Sequence, residues 1–185
     1  NFRVHNAYRS PGRLVEDELG KNKAEMYADR YQNFRTGLVG KSKFIDPSCA
    51  DDLDGVTFAF VSVDKGSSRA GIFDLLISKK IPFIDVGMGL NRKHGPLGGM
   101  LRVTYYSVEE AEGIRAKGLA ELADSPNDEY RRNIQISELN ALNAALAVLK
   151  YKQIRGFFRQ ESSAYHFLFG VEDLHIVSES EIKPC

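Results

Sequence analysis

The feature that most constrains the fold is a run of apolar and β-branched residues, TFAFVSV, at positions 57–63. This run has almost no polar interruption, which is typical of a strand covered on both faces in a parallel sheet. A helical pattern at 67–80 follows, and Pro82 then starts a second apolar strand that reaches Val86. Strand, helix and strand within about thirty residues predict a βαβ unit.

The other elements are predicted from hydrophobic periodicity and turn residues. In chain order they are an amphipathic helix at 17–35, an extended piece at 43–45, a glycine-rich turn at 87–99, a strand at 100–106, a charged surface stretch at 107–128, a long helix at 134–158, and a hairpin of strands 166–169 and 174–178 that turns near Gly170. No repeat or low-complexity linker interrupts this order. We therefore predict one α/β domain over residues 1–185, with a mostly parallel sheet flanked by helices and an antiparallel carboxy-terminal extension.

Composition disfavours several classes of protein. Twenty-five basic residues balance twenty-five acidic ones, without the basic patch that nucleic-acid binding requires. No apolar stretch is long enough to span a bilayer, so we expect no membrane protein. Cys49 and Cys185 are the two cysteines and form no CxxC pair, which predicts neither a zinc site nor a disulfide framework and suggests a cytoplasmic protein. A chain that opens on Asn1 without a leader is expected to be a fragment or a processed product.

Candidate chemistry centres on Asp64, which directly follows the first buried strand. Ligands of open α/β sheets bind at the carboxyl ends of strands, and a carboxylate there can hold Mg²⁺ on a triphosphate. Arg9 and Lys23 would neutralise charge on a leaving pyrophosphate. Structural alternatives stay open, because Asp64 could be a turn former or helix N-cap, Lys23 a solvated surface charge and Arg9 part of a structural ion pair.

Several segments together resemble the ThiF/MoeB/HesA superfamily of ubiquitin-activating-enzyme-like adenylating domains. In chain order the matching residues are Asn6-x-x-Arg9, Gly20-x-x-Lys23, Asp64 with Arg69 five residues on, IPFIDVGMGL, and the strand that begins with two glycines. The segment NIQISELNALNAALAVLKYK also resembles the helix that closes this domain in bacterial ThiF-like proteins. The resemblance covers nearly the whole chain, as the carboxy-terminal two-thirds of such a domain.

This resemblance implies ATP-dependent adenylation of the carboxy-terminal glycine of a ubiquitin-like or sulfur-carrier protein, with ATP and Mg²⁺ as cofactors. By position, Asp64 matches the family's magnesium-binding aspartate, and Lys23 and Arg9 match its phosphate-contacting catalytic residues. Asn6 matches the asparagine beside them. The glycines at 87 and 89 would let the partner's extended tail approach the nucleotide, or they are simply turn glycines.

The sequence also departs from the family's pattern. The GxGxxG loop, the first strand and the ribose-reading acidic residue are expected before Asn1, and none occurs in this sequence. Because the missing strand belongs in the middle of the sheet, we expect an exposed sheet edge that pairs with a companion segment or another chain. The region 107–128 has no cysteine to carry a thioester, so we expect the reaction to stop at the acyl-adenylate. Cys49 lies in a PSCADD helix start, which favours a buried or capping-region thiol.

Two alternative functions come from other classes. The chain could be the non-catalytic scaffold half of a heterodimeric activating enzyme, although the joint presence of Asn6, Arg9, Lys23 and Asp64 argues against an inert half. It could also be a dinucleotide-binding oxidoreductase, but no residues form a hydride-transfer constellation. The long apolar face of the 134–158 helix is consistent either with a homodimer interface or with internal core.

Overall fold

The structure is a computed structural model that describes residues 1–3, 6, 16–91, 95–123 and 137–180. These residues fall into two compact units, formed by 1–44 with 135–140 and by 45–134 with 141–185. The α-helices are α1 (Lys23–Tyr31), α2 (Gly66–Ser78), α3 (Ala111–Ala116) and α4 (Ser137–Ile154). The strands are β1 (Ala59–Val61), β2 (Phe83–Asn91), β3 (Gly98–Tyr106), β4 (Ala164–Gly170) and β5 (Ile176–Ser180). Short 3-10 helices lie at Glu16–Glu18 and Pro47–Leu53.

The five strands form one open sheet in the order β1-β2-β3-β4-β5, with β1 and β5 at its edges. β1 and β2 are parallel and are joined through α2, as the βαβ pattern predicts. The pairs β2–β3, β3–β4 and β4–β5 are antiparallel. The predicted α/β class is therefore confirmed, but the parallel part is confined to β1 and β2 and the antiparallel part begins at β3.

Helices cover both faces of this sheet. Successive residues of a strand point to opposite sides, and apolar strand residues on each side pack against a helix. On one face, Phe73 of α2 packs against Phe83 and Tyr106, whose rings stack 4.5 Å apart between centroids. On the other face, Ile84 and Val103 form a second core cluster with α4. The sheet of the second unit is thus the middle layer between α2 and α3 on one side and residues 141–154 of α4 on the other.

The first unit corrects the predicted helix at 17–35. Only Lys23–Tyr31 is α-helical, preceded by the 3-10 turn at Glu16–Glu18. Gly20 adopts φ +85°, which interrupts a continuous helix, and the Asn22 side chain then caps α1 by accepting from the Ala24 N–H at 2.8 Å. Glu18 is tied back to α1 by Arg30, whose Nε donates to its carboxylate at 2.7 Å.

The glycine-rich segment 87–99 is also corrected, because β2 continues through it to Asn91 and β3 begins at Gly98. The predicted charged surface stretch at 107–128 is corrected too, because it contains α3, whose Ala111 and Ile114 are buried in the core against the sheet. The other predicted strands and helices are found with shifted ends. The long helix stops at Ile154, shortly before Gly156 at φ +73°, and the terminal hairpin turns at 171–173 as expected near Gly170. Residues 43–45 have no regular secondary structure. Among the described residues, no helix has both the length and the apolar character needed to cross a membrane.

The first turn of α2 packs so closely that only glycine fits at position 66. A Cβ at Gly66 would lie 2.3 Å from the carbonyl oxygen of Ala123, whereas a Cβ at Gly71 in the same helix would meet nothing within 4 Å. We expect Gly66→Ala to lower the free energy of unfolding by about 1–3 kcal/mol through overpacking. Gly71→Ala, the matched control, should raise it by about 0.4–1 kcal/mol because it restricts the unfolded chain. Urea unfolding followed by circular dichroism measures the free energy of unfolding of both variants. Equal changes in the two variants would contradict the close contact at Gly66.

Candidate functional site

The candidate site lies at the carboxyl edge of the parallel pair β1–β2, where ligands of such sheets bind. β1 ends at Val61, and Asp64 lies in the exposed turn that leads into α2. Lys65, not Asp64, occupies the N-cap position of α2, and it makes no side-chain capping bond. Within the described part of the chain, no hydrogen bond or ion pair engages the Asp64 carboxylate. The N-cap alternative is therefore wrong, and the carboxylate is accessible.

Arg69 holds the segment that carries Asp64 against the sheet. Its guanidinium is buried and donates through Nη2 to the carbonyl of Val63 at 2.6 Å, through Nε to Asp85 at 3.1 Å, and through Nη1 to the carbonyl of Glu121 at 3.0 Å. Val63, the residue before Asp64, is thereby hydrogen-bonded to the same side chain that contacts Asp85 near the start of β2. This arrangement restricts where the Asp64 carboxylate can lie.

Asp85 is a fully buried acid, the third residue of β2, and pairs with Val61 at the end of β1. It accepts from Arg69 and, at 2.5 Å, from Nη2 of Arg102 on β3. Burial raises the pKa of the Asp85 carboxyl, and the two guanidiniums oppose that rise. Burial, with a further contribution from Asp85, also raises the pKa of Tyr106 to about 12. Neither Asp85 nor Arg102 was predicted as a site residue. An acid inside an apolar strand needs buried partners, so the position of Asp85 in the sequence does indicate such a cluster.

A hydrogen-bonded chain extends this cluster across the sheet to β4. Nη1 of Arg102 donates to Oγ1 of Thr104 at 2.9 Å, and Thr104 Oγ1 lies 2.9 Å from Nδ1 of His166. Since Thr104 already accepts from arginine, its hydroxyl proton is available to a neutral imidazole. Burial, followed by the charge of Arg102, lowers the pKa of His166.

This lowered pKa predicts a pH-dependent stability. The unfolded chain binds a proton at His166 more readily than the folded chain does. The contribution of the neutral imidazole to the free energy of unfolding is therefore fully present above the unfolded pKa of about 6.5, and it is lost as the pH falls through the folded pKa. We expect His166→Asn, which retains an acceptor, to lose less stability than wild type between pH 7.5 and pH 5. The exposed His175→Asn should behave like wild type. Urea unfolding at both pH values checks this, and parallel curves for wild type and His166→Asn would contradict it.

Gly87 and Gly89 lie inside β2, opposite Arg102 and Met100 of β3, so the alternative that they are turn glycines is wrong. A Cβ at Gly87 would lie 2.7 Å from Nη2 of Arg102, which explains why glycine suits that position. A Cβ at Gly89 would meet nothing within 4 Å. The backbone at Gly89 is therefore approachable at this point of β2.

Asn143 of α4 reaches the same strand from the other side of the core. Its Nδ2 donates to the carbonyl of Gly87 at 2.9 Å. Its Oδ1 is buried, and no partner contacts it in the part of the chain that the structure describes. The direction of the amide is fixed, because the Gly87 carbonyl can only be met by a donor. Asn143 thus supports the strand next to the candidate site.

The other predicted site residues belong to the first unit. Asn6 is buried, and its Oδ1 accepts from the backbone N–H of Arg3 at 2.9 Å. Lys23 is the exposed first residue of α1. Arg9 lies outside the described residues. Only Asp64 of the four is described in the second unit, so their assembly into one site stays a prediction.

The donor set around Asp64 limits which metal it suits. Among the described residues, no three His, Cys, Asp or Glu side chains converge as metal ligands. Mg²⁺ commonly takes one or two protein carboxylates and completes its shell with water and substrate phosphates. The accessible carboxylate of Asp64 fits this mode of binding, as a protein ligand of a nucleotide-bound Mg²⁺.

Cys49 has a structural environment. It is buried in the 3-10 helix Pro47–Leu53, with Sγ 3.8 Å from the carboxylate of Asp46, which caps that helix. The predicted buried or capping-region thiol is confirmed. Cys185 lies outside the described residues.

Several solved structures have a fold similar to that of this chain. The chain is similar to PaaA at 16% identity, over 97% of this chain and 61% of that one, with a TM-score of 0.59. It is similar to E. coli MccB with AMPCPP and MccA (13% identity, 90% and 50% covered, TM-score 0.55) and to E. coli MccB with ATP (12% identity, 90% and 50% covered, TM-score 0.57). At this identity the likeness is one of fold. The chain spans only about half of MccB and three-fifths of PaaA. No family model and no curated protein matches it.

Proposed function

We propose that this protein activates the carboxylate of a peptide or protein by ATP-dependent adenylation. The observation that carries the proposal is the accessible Asp64 carboxylate at the carboxyl edge of β1–β2, in a fold similar to that of E. coli MccB, which has been solved with ATP and with MccA. The edge position and the accessibility of the Asp64 carboxylate both suit a nucleotide-bound cation.

The reaction is a displacement at the α-phosphorus of ATP. An oxygen of the substrate carboxylate forms a bond to that phosphorus, and the bond from the phosphorus to the β-phosphate bridging oxygen breaks. Pyrophosphate leaves, and the product is an acyl-adenylate. A carboxylate is already ionised at neutral pH, so no general base is required. The protein therefore acts by positioning the reactants and by stabilising negative charge on the phosphates.

Each predicted site residue has a role in this scheme. Asp64 would hold Mg²⁺ on the phosphate oxygens, and Arg69 would keep the Asp64 segment in place through the Val63 carbonyl. Lys23 and Arg9 would contact the phosphates that accept the leaving charge, with Asn6 beside them. Bound Mg²⁺ would supply electrostatic stabilisation of the pyrophosphate.

The finer proposal concerns the substrate, which we infer to be the carboxy-terminal glycine of a ubiquitin-like or sulfur-carrier protein. Gly89 supports it, because an extended backbone could approach β2 there without meeting a side chain. The open edge at β1 supports a further expectation, that a companion segment or a second copy of the chain pairs with the sheet.

The test is ATP–pyrophosphate exchange in the presence of Mg²⁺, with a ubiquitin-like polypeptide or with the same polypeptide amidated at its carboxyl terminus. Exchange that requires the free carboxylate would support adenylation. Calorimetric binding of Mg²⁺–ATP without exchange would favour the scaffold function instead. Absence of both nucleotide binding and exchange would rule out the proposed function.

A further inference from the structure

The turn that follows α4 presents two adjacent phenylalanines to solvent. Phe157 is 71% exposed and Phe158 is 40% exposed. Their rings lie edge to face, with centroids 4.9 Å apart, so they form one continuous apolar surface. Single exposed apolar side chains are common on proteins, but contiguous apolar patches often mark interaction sites.

The backbone fixes the position of this pair. The N–H of Gly156 donates to the carbonyl of Gln153 at 2.9 Å. The N–H of Phe157 donates to the carbonyl of Lys152 at 2.8 Å, which completes a Schellman motif around Gly156 at φ +73°. In such motifs an apolar residue commonly stands where Lys152 is and packs against the residue at the position of Phe157. Here the ammonium of Lys152 lies 4.6 Å from the centroid of the Phe157 ring, and the ring stays exposed.

Positive charge accompanies the two rings. Residues 151–160 include three basic residues and no acidic one, and the basic residues are Lys152, Arg155 and Arg159. Arg155 and Arg159 are exposed and flank the phenylalanines in the chain. Glu161 pairs with Arg159 at 3.7 Å, but both side chains are so exposed that the pair is weak. We call these three cations and the two rings the α4 tip.

The α4 tip lies away from the site around Asp64. Asn143, in the first half of α4, contacts the carbonyl of Gly87, which lies beyond the part of β2 that pairs with β1. Tyr151, two turns later, packs against Phe58, which immediately precedes β1. α4 therefore runs from the carboxyl edge of the parallel pair towards its amino edge. A partner at the α4 tip would leave the edge that carries Asp64 open.

We propose that the α4 tip docks this protein onto an anionic lipid surface. Anionic headgroups attract clustered Lys and Arg side chains, and phenylalanine rings enter the boundary between headgroups and acyl chains. Docking of this kind needs no membrane-spanning helix. The proposal is independent of the proposed adenylation and goes beyond it.

The composition of the α4 tip favours a lipid surface over other partners. A lipid surface offers an anionic layer and an apolar layer at one place, whereas an acidic polypeptide offers chiefly charge. A second copy that met the first through the same surface would place like charges opposite each other. Both the cations and the rings are therefore satisfied best at an anionic membrane.

A tryptophan reporter tests whether the ring of residue 157 enters the lipid. The protein contains no tryptophan, so Phe157→Trp supplies a single fluorophore. Leu174→Trp is the matched control, because Leu174 is 74% exposed in the same unit but follows the acidic residues Glu172 and Asp173. Vesicles of phosphatidylcholine with about 30% phosphatidylserine should shift the emission of Phe157→Trp to shorter wavelength and leave Leu174→Trp unchanged. No shift for Phe157→Trp, or equal shifts in both variants, would overturn the proposal.

Co-sedimentation with the same vesicles separates the contributions of charge and of the rings. Wild type should bind them at least about tenfold more tightly than pure phosphatidylcholine, since each cation contributes about fivefold. The double variant Arg155→Gln, Arg159→Gln should lose about tenfold or more in binding, and Phe157→Ala about tenfold. Circular dichroism verifies the fold, which these exposed positions should not disturb. Wild-type binding by both variants would reject the α4 tip as the contact.

Polyglutamate is the counter-probe. It carries negative charge without an apolar layer, so it should leave the emission of Phe157→Trp at its original wavelength. A response of Phe157→Trp to polyglutamate but not to the anionic vesicles would refute the lipid proposal and identify an acidic polypeptide as the partner.

Discussion

Replacing Asp64 with Asn is expected to reduce the rate of Mg²⁺-dependent ATP–pyrophosphate exchange by roughly 10²- to 10³-fold, the usual effect of removing one preorganised electrostatic group. The substitution preserves size and hydrogen bonding but removes the charge that would hold the cation. Since the Asp64 side chain is exposed, the free energy of unfolding should change by less than about 0.5 kcal/mol. Exchange assays over a range of Mg²⁺ concentrations, together with urea unfolding, measure both quantities.

Asp51→Asn is the matched control. Asp51 is also exposed and also in the second unit, but it lies in the 3-10 helix Pro47–Leu53 and not at the carboxyl edge of a strand. We expect this variant to retain wild-type exchange. Equal losses in the two variants would indicate a general effect of surface charge, and full activity of Asp64→Asn would remove Asp64 from the magnesium site.

The largest loss of stability is expected from Asp85→Ala, at about 3–5 kcal/mol. This change leaves the guanidiniums of Arg69 and Arg102 without their shared carboxylate, and their side chains are only 8% and 13% exposed. The cost is mainly that of two largely desolvated positive charges that have lost their shared carboxylate and keep only neutral acceptors, the carbonyls of Val63 and Glu121 and the hydroxyl of Thr104. Urea unfolding followed by circular dichroism gives the change in the free energy of unfolding.

An exposed ion pair of the same unit provides the comparison. Lys79 donates to Asp54 at 2.7 Å, and the Asp54 side chain is 70% exposed. Asp54→Ala should cost less than about 1 kcal/mol, since solvent screens and replaces such a pair. If Asp85→Ala were equally mild, the cluster around Asp85 would not be a significant source of stability.

The βαβ unit could be predicted because its signals are local. An uninterrupted apolar run, a helical period and Pro82 lie within thirty residues, and the structure has β1, α2 and β2 at these places. The course of β2 beyond Val86 could not be predicted in the same way. Two glycines so close together, Gly87 and Gly89, are typical of a turn. In the structure they stay in a strand because they pair with β3, and this pairing partner cannot be recognised from the residues around Gly87 and Gly89.

The site was predictable only in part, for a similar reason. Asp64 was identifiable because its position after a buried strand is visible in the sequence. The contacts that hold its segment depend on side chains from α2, β2 and β3, which are far apart along the chain. A charged residue within an apolar run, as at Asp85, is the one signal that would have pointed to this cluster.

The order of the strands has a consequence for how the chain folds. β2–β3 and β4–β5 are hairpins between neighbouring strands, but β3 pairs with β4 across a long separation, with Val103 opposite Phe167, which are 167 − 103 = 64 residues apart. Closing such a long loop costs entropy before any contact compensates it, so pairings of this kind slow folding. We expect the two hairpins to form early and their docking through β3 and β4 to limit the folding rate. Until that step, the edge of β4 that later pairs with β3 would be open to other unfolded chains. The refolding yield should therefore fall as the protein concentration rises.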